Sequence, residues 1–354
     1  MINWDNYRKE FPILETYAYF NTARFCALPA SVIRIQKRYL EGLAENGSWN
    51  FEEWSETYEQ TRENAGRLIG STKDNIFFIP NVSTGINLSS LYLTQKKVVL
   101  LEGDFPSVTL PWTSHGFEIE SVEMRTEGLY KSLEDKLSGG NKILCVSWVQ
   151  SKDGFQLDLN QIFEICKKHK ISLVLDGTQG LGAIPFTIDP DVSMVFLSSS
   201  FKWLLAGYGV AMGYVSDDLI SKFKAFQGWN SIDFGTGMAK TGAASLEVGN
   251  ALFLNVLGLN EGIRFIEEIG LQNIYERNID YTSNLISRLE AIGRSINKSA
   301  QSGSSIIRLK VEPQEYQKLE KAMVQTSNQG EYVRLSPHFY NNETDIDRLI
   351  ECLQ

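Results

Sequence analysis

The chain has 354 residues, 43 acidic against 34 basic side chains and a net charge of −9; 43% of it is hydrophobic and 22% charged. That length can bury a large core and fill two or three domains, and the acidic balance argues against nucleic acid as a partner. The four cysteines and three histidines are scattered, so no metal site is expected.

The opening MINWDNYRKEFPIL holds no long apolar run, so neither a signal peptide nor a membrane span is expected. Reduced thiols in a cytoplasmic protein are the expectation. From about residue 76 the pattern repeats. NIFFIP reads as a strand, NVSTG as a turn with a helix start, and INLSSLYL as the helix. KKVVLLEGD and NKILCVSWV are further strands, and LNQIFEICKKHK is an amphipathic helix. ISLVLDG, VSMVFLSS and VAMGYVS complete the set. Short apolar runs alternating with helices predict an α/β fold with a mostly parallel sheet covered on both faces, whose ligands sit outside the carboxyl ends of the strands. After about residue 240 the texture becomes helical from SLEVGN to LEAI, followed by a short α+β region: SSIIRLKV, PQEYQKLEKAMV, EYVRLS and TDIDRLIECL. The division expected is a large domain over 21–240 and a small one over 241–354, joined by the segment 1–20.

Three places in the sheet pattern are chemically complementary. Lys202 stands in FLSSSFKWLLAGYG, Asp176 ends ISLVLD, and Ser83 and Thr84 follow IFFIP at a helix start. Each has an ordinary reading. Lys202 can lay its stem on the core; Asp176, Ser83 and Thr84 can cap helices. Together they describe more. A lysine against an apolar wall has a lowered pKa, and its neutral amine can form a Schiff base. A carboxylate can keep a pyridine nitrogen protonated. A helix amino terminus receives phosphate. Aldehyde, pyridine and phosphate are the parts of pyridoxal phosphate.

The sequence resembles the class V aminotransferase group of fold-type I pyridoxal-phosphate enzymes, which includes cysteine desulfurases, isopenicillin epimerase-like proteins and kynureninase. The resemblance spans nearly the whole chain: YFNTARFCALP, NVSTGIN, GDFPSVTLPW, VSWVQSKDGFQLDL, LDGTQGLGAIP, SSSFKWLLAGYG and VRLSPHFYNNETDIDRLIECL. It implies a large cofactor domain with a smaller α+β carboxy-terminal domain, and pyridoxal 5'-phosphate as cofactor. By resemblance Lys202 is the Schiff-base lysine, Asp176 faces the pyridine nitrogen and Gln179 the ring hydroxyl. Phe105 stacks on the ring where the family often has histidine, or simply packs in the core. Ser151 is expected at the ring hydroxyl, and Ser83, Thr84 and Ser199 at the phosphate. Arg334 is expected to grip a substrate carboxylate, helped by Asn21. Family sites are shared across a dimer. SLEVGN and QGWNS resemble the segments that close over the neighbour's phosphate, which singles out Asn250 and Trp229.

Departures narrow the reaction. KAMVQTSNQGEY lacks the nucleophilic cysteine of desulfurases, and Gln179 turns the reading away from kynureninase. An aminotransferase working on amino and keto acids is the leading expectation, because it needs only Lys202, Asp176 and a carboxylate clamp. An epimerase or an α,β-eliminating lyase comes next. A non-catalytic binding or regulatory module is a rival. So is a nucleotide-binding oxidoreductase, suggested by GTQGLGA, although that stretch is not GxGxxG.

Overall fold

The computed structural model describes residues 2–125, 127–223, 228–233, 236–297 and 303–354. A short strand, β1 (Ala18–Tyr19), precedes two long helices, Ala30–Asn46 and Phe51–Leu68. Then come β2 (Ile76–Ile79), β3 (Lys97–Leu101), β4 (Glu118–Val122), β5 (Lys142–Ser147), β6 (Ser172–Asp176), β7 (Met194–Ser199) and β8 (Ala211–Val215). These seven form one sheet in the order β2-β8-β7-β6-β5-β3-β4. The pairs from β7 through β4 are parallel, and β8 runs antiparallel to both β7 and β2. β2, β6, β7 and β8 are buried along their whole length. A strand covered on both faces by helices has no solvent side, so its sequence is an unbroken apolar run.

β4 escapes the sequence pattern for the opposite reason. It is the edge strand, mostly exposed, and reads EIESV. Charges on an edge keep it from pairing with another chain, and they also erase the apolar run. Helix caps fall on residues other than the Asp176, Ser83 and Thr84 that the sequence offered for that role. Asp158 caps the helix Leu159–His169 by accepting from the Asn160 amide at 3.0 Å. Asn81 caps Val82–Tyr92 by accepting from the Thr84 amide at 2.9 Å.

The long helical stretch expected after residue 240 is two helices, and it starts later. Phe253–Ile269 and Leu271–Ala291 meet at Gly270, whose φ of +88 suits the left-handed turn between them. SLEVGN begins in a short 3-10 helix (Ala243–Leu246) and leaves helix at Glu247, whose side chain is held elsewhere, as described below. The helix Phe253–Ile269 buries Val256, Leu259, Ile263 and Ile266 in the same core as Phe78, Leu144, Leu173 and Phe196 of the large sheet.

β9 (Ile296–Asn297), β10 (Ile307–Lys310), β11 (Val324–Gln325), β12 (Ser327–Asn328) and β13 (Tyr332–Leu335) follow. Four of them make an antiparallel sheet, β12-β13-β10-β9. Ile307, Leu309, Val333 and Leu335 of this sheet form a second core with Leu285, Leu289, Ile346 and Leu349. β1 pairs in parallel with β11, which ties the start of the chain to this layer. Among the described residues no helix is long and apolar enough to cross a membrane.

Candidate active site

The chain leaves β3 outward to β4 and returns to β5 on the other side of β3. That reversal opens a crevice at the carboxyl ends, the usual place for a ligand in such sheets. A cavity of about 250 Å³ lies there, and its lining includes Ser83, Phe105, Ser151, Asp176, Gln179, Ser199 and Lys202. Residues more than a hundred positions apart in the chain thus share one wall.

Asp176 is the last residue of β6 and is buried. Its Oδ1 accepts from the Thr178 amide at 2.9 Å. Burial raises its pKa; hydrogen bonds from Thr178 and the charge of Lys202 oppose that rise, and Asp104 adds to it. Lys202 is half-buried; its carbonyl accepts from the Leu205 amide at 3.2 Å, and its side-chain amine makes no hydrogen bond among the described residues. Loss of hydration pulls its pKa from 10.5 to about 8, Asp176 pulls the other way, and the charge of Arg334 lowers it further. Its Nζ lies 6.0 Å from the Phe105 ring centroid and 5.4 Å from that of Phe201. The amine therefore carries an appreciable neutral fraction near pH 8, where an ordinary lysine is almost wholly ammonium.

The three serines before Lys202 divide the work of placing it. Ser200 donates to the carbonyls of Gly207 and Val210, both at 2.7 Å, which folds the loop back on itself. Leu205 takes a left-handed φ of +59 in that turn. Ser199 lines the cavity, and its amide donates to Thr178 Oγ1 at 3.2 Å. Ser198 is fully buried with its hydroxyl unpartnered. Trp203, also buried, donates its indole N–H to Gln179 Oε1 at 2.8 Å, and the Gln179 amide nitrogen donates to the Ala23 carbonyl at 3.0 Å. Gln179 thus keeps one N–H for the cavity.

The glycines of GTQGLGA serve packing. A Cβ on Gly177 would stand 2.3 Å from the Phe196 ring, and one on Gly182 2.4 Å from the Trp203 carbonyl. Their backbone approaches a neighbouring chain segment, and the motif is accounted for without a nucleotide.

Around the mouth, Ser83 donates to Ser107 Oγ at 2.8 Å. Thr84 is turned to Asn81, to which both its amide and its hydroxyl donate, and it is absent from the cavity lining. Arg334, on β13, is buried; its Nη1 donates to the Ser151 carbonyl at 2.6 Å, and its Nε is unpartnered. Burial, then the charge of Arg24, lowers its pKa to about 10. Asn21 is buried with Oδ1 unpartnered, and its backbone bridges to Ser336, two residues beyond Arg334.

Trp229 and Asn250 lie elsewhere. Both are exposed, Trp229 at 68%, and they line a separate groove of about 580 Å³ with Tyr58, Arg62, Lys240 and Glu247. Gln227, the first residue of QGWNS, falls outside the described residues. Glu247 is buried under this groove and accepts from Arg62 Nη1 at 2.6 Å, Arg62 Nη2 at 3.2 Å, the Phe78 amide at 2.7 Å and Tyr58 at 3.1 Å.

Sequence reasoning missed Asp104, Ser107, Thr178 and Phe201. Asp104 is buried just past β3 and accepts from the Ser147 amide and hydroxyl and from the Phe105 amide. It locks the segment carrying Phe105 to the end of β5. The signal was present, since an acid ends KVVLLEGD as Asp176 ends ISLVLD.

A mostly parallel seven-stranded sheet with a lysine and a carboxylate at its carboxyl edge is the fold of the fold-type I pyridoxal-phosphate enzymes. The chain belongs to the class-V aminotransferase family, whose model matches residues 18–349. It is similar to an uncharacterised aminotransferase of Bacillus subtilis, 27% identical, with 98% of this chain and 96% of the relative covered. It is also similar to a probable cysteine desulfurase of Borreliella burgdorferi, 23% identical, with 97% and 94% covered. Its fold is that of an apo cysteine desulfurase from Thermococcus onnurineus, with a TM-score of 0.88 at 19% identity over 100% of this chain and 98% of that one. A C-DES variant with glycine covalently linked to its PLP cofactor superposes equally well, TM-score 0.88 at 19% identity over 98% of each chain.

Proposed function

We propose that this protein is a pyridoxal 5'-phosphate-dependent aminotransferase acting on an α-amino acid through Lys202. The observation that carries the reading is the amine of Lys202, half-neutral near pH 8, beside the buried carboxylate of Asp176.

The residues present fit the cofactor. Lys202 and Asp176 line the cavity, and Arg334 Nε, Asn21 Oδ1 and Ser198 Oγ are buried without a partner; buried polar groups of that kind call for a ligand. Lys202 would hold the aldehyde, Asp176 the ring nitrogen, and the remaining N–H of Gln179, with Ser151, the ring hydroxyl. The hydroxyls of Ser83, Ser107 and Ser199 and the start of the helix Val82–Tyr92 would hold the phosphate, with Thr84 serving through its cap. Phe105 would cover one ring face. When bound, the cofactor supplies an electron sink for the substrate's α-carbon.

The chain's own part is to orient and to move protons. Arg334 and Asn21 would fix the substrate carboxylate, which aims the α-carbon at Lys202. Phe105 cannot titrate, so Lys202 would take and return the α-proton. A desulfurase would need a reactive thiolate. Burial pushes the Cys26 and Cys166 thiols up to about 12, and Cys145 and Cys352 upward as well, so none of the four serves.

The proposal includes a homodimer. Trp229 and Asn250 would reach the phosphate bound by the other copy, and exposed Phe51, Trp229 and Val248 give the apolar surface such a contact covers. It also keeps 21–240 as the cofactor domain and 241–354 with 1–20 as the smaller one, a division that the β1–β11 pairing supports and that the packing of the helix Phe253–Ile269 in the core of the large sheet opposes. A cytoplasmic location is part of the same proposal.

The test is a visible spectrum followed by an amino-donor screen. The purified protein should be yellow and be bleached by borohydride, and an amino acid should convert it to the amine form of the cofactor, reversed by a keto acid. A colourless protein that takes up no cofactor would end the proposal. Loss of substrate α-deuterium without amino transfer would move it to epimerase or lyase, reactions that ask the same of Lys202.

A further inference from the structure

Arg24 is the one charged residue of the opening loop NTARFC, and nothing in the assignments above uses it. Its backbone is fixed from both sides. The Ala23 amide donates to Ser336 Oγ at 3.0 Å, and the Ala23 carbonyl accepts from Gln179 at 3.0 Å. On the other side the Cys26 amide donates to the Phe201 carbonyl, next to Lys202, at 2.9 Å. The loop therefore carries Arg24 on the rim between β13 and the lysine loop.

The guanidinium itself is uncommitted. Arg24 is exposed and rests its Cζ 5.6 Å from the Phe25 ring centroid; its amide donates to the Asn21 carbonyl at 2.9 Å, while its guanidinium makes no hydrogen bond or ion pair among the described residues. Phe25 in turn packs edge-on against Tyr208, with centroids 5.0 Å apart, and at 6.2 Å from Phe201. The Asn21–Ser336 bridge and the Ala23–Ser336 hydrogen bond set the loop beside the end of β13, and the charge of Arg24 there adds to the lowering of the Arg334 pKa. Neither guanidinium has a carboxylate within ion-pair distance among the described residues. In a chain of net charge −9 with acids to spare, an unrelieved cationic pair at a cavity mouth calls for an anion from outside. Arg334 is the buried member and suits the α-carboxylate. Arg24 is the exposed member, beyond it at the rim.

We propose that Arg24 is a specificity residue that holds a second carboxylate, so that the preferred substrate is a dicarboxylic amino acid. The guanidinium fork matches a planar carboxylate in two parallel hydrogen bonds, and the aromatic rings of Phe25, Phe201 and Tyr208 give the intervening methylenes an apolar wall. A neutral side chain of the same shape would leave the two arginines unrelieved.

This rests on the reading of the protein as a cofactor-dependent enzyme of amino acids, and the test separates the two. The cofactor-loaded protein is titrated with L-glutamate against L-glutamine, and with L-aspartate against L-asparagine, following binding by calorimetry and by the change in cofactor absorbance. The acid of at least one pair should bind about tenfold more tightly than its amide, as expected for a charge-assisted hydrogen bond. In Arg24→Gln that ratio should fall to about one, and Arg24→Lys should restore part of it. Equal affinities within both pairs in the unaltered protein, or a ratio that Arg24→Gln leaves in place, would overturn the assignment alone. If no amino acid of any kind produces heat or a spectral change, the amino-acid reading falls and this assignment goes with it. The measurement on the unaltered protein decides the matter even if a variant does not fold.

Discussion

The cavity at the carboxyl edge of the large sheet and the groove under Trp229 are built in opposite ways. In the cavity, rigid strand ends present the chemistry. Asp176 ends β6, Ser199 ends β7, and Asp104 stitches the end of β3 to the end of β5. Lys202, Asp176, Gln179 and Ser199 line one space. In the groove, the rigid part is underneath. Glu247 is gripped by Arg62, Tyr58 and the Phe78 amide, while Asn250 and Trp229 stand outward. One region is a pocket formed within the chain, and the other is a braced, outward-facing groove that the proposed second copy would cover. Burial of unused polar groups marks a ligand site.

The largest expected effect breaks the cavity and spares the groove. Lys202→Ala should abolish the borohydride-sensitive visible absorbance of the purified protein, while light scattering still shows a dimer. A variant that keeps the chromophore would show that another amine holds the cofactor.

Arg62→Ala breaks the platform. It leaves Glu247 as a buried charge short of its main partner, a change that costs about 3–5 kcal/mol. Denaturant titration should report that loss, and the dimer should weaken as the loop to Asn250 is released. Full stability would mean that water or relaxation replaces Arg62, and that the platform is looser than drawn.

Arg334→Lys sharpens the cavity side. Lysine keeps the charge and loses the fork, so substrate affinity should fall by on the order of 2–5 kcal/mol if the pair is desolvated, with cofactor absorbance intact. If Arg334 only braces β13 against Ser151, melting temperature falls and affinity stays. Both measured on one sample decide between the two.

The smallest effect is a pH profile. The neutral amine is the form that captures an aldehyde, and its fraction grows as pH rises through the pKa. With Lys202 lowered from 10.5 to about 8, cofactor uptake by the apoprotein should accelerate as pH rises through about 8 and level off above it, as the last of the ammonium is lost. A rate still climbing steeply at pH 10 would mean that the lysine is hydrated like a surface one.

Much of the cavity was legible in the sequence because its elements advertise themselves. Fully buried strands are apolar runs, and a polar residue ending such a run stands out. That is how Asp176 and Lys202 were found, and Asp104 ended KVVLLEGD with the same signal. β4 was missed because an exposed edge strand carries charge. The two helices Ala30–Asn46 and Phe51–Leu68 drew no expectation at all, though Phe51–Leu68 supplies Arg62 and Tyr58 to Glu247. The helical reading of SLEVGN failed from Glu247 onward because a buried ion pair overrode local pattern.

The sequence by itself determined the kind of fold and the residue types at the strand ends, since periodicity and burial are local properties that each segment carries alone. Only the tertiary structure decided what those residues do to one another. Thr84 turns to its own cap, Gln179 spends its oxygen on Trp203, and the loop of Arg24 is pinned to Ser336 at the end of β13. Hydrogen bonds and charges act over a few ångströms of space, and the chain brings this loop against the β13 segment only once it has folded.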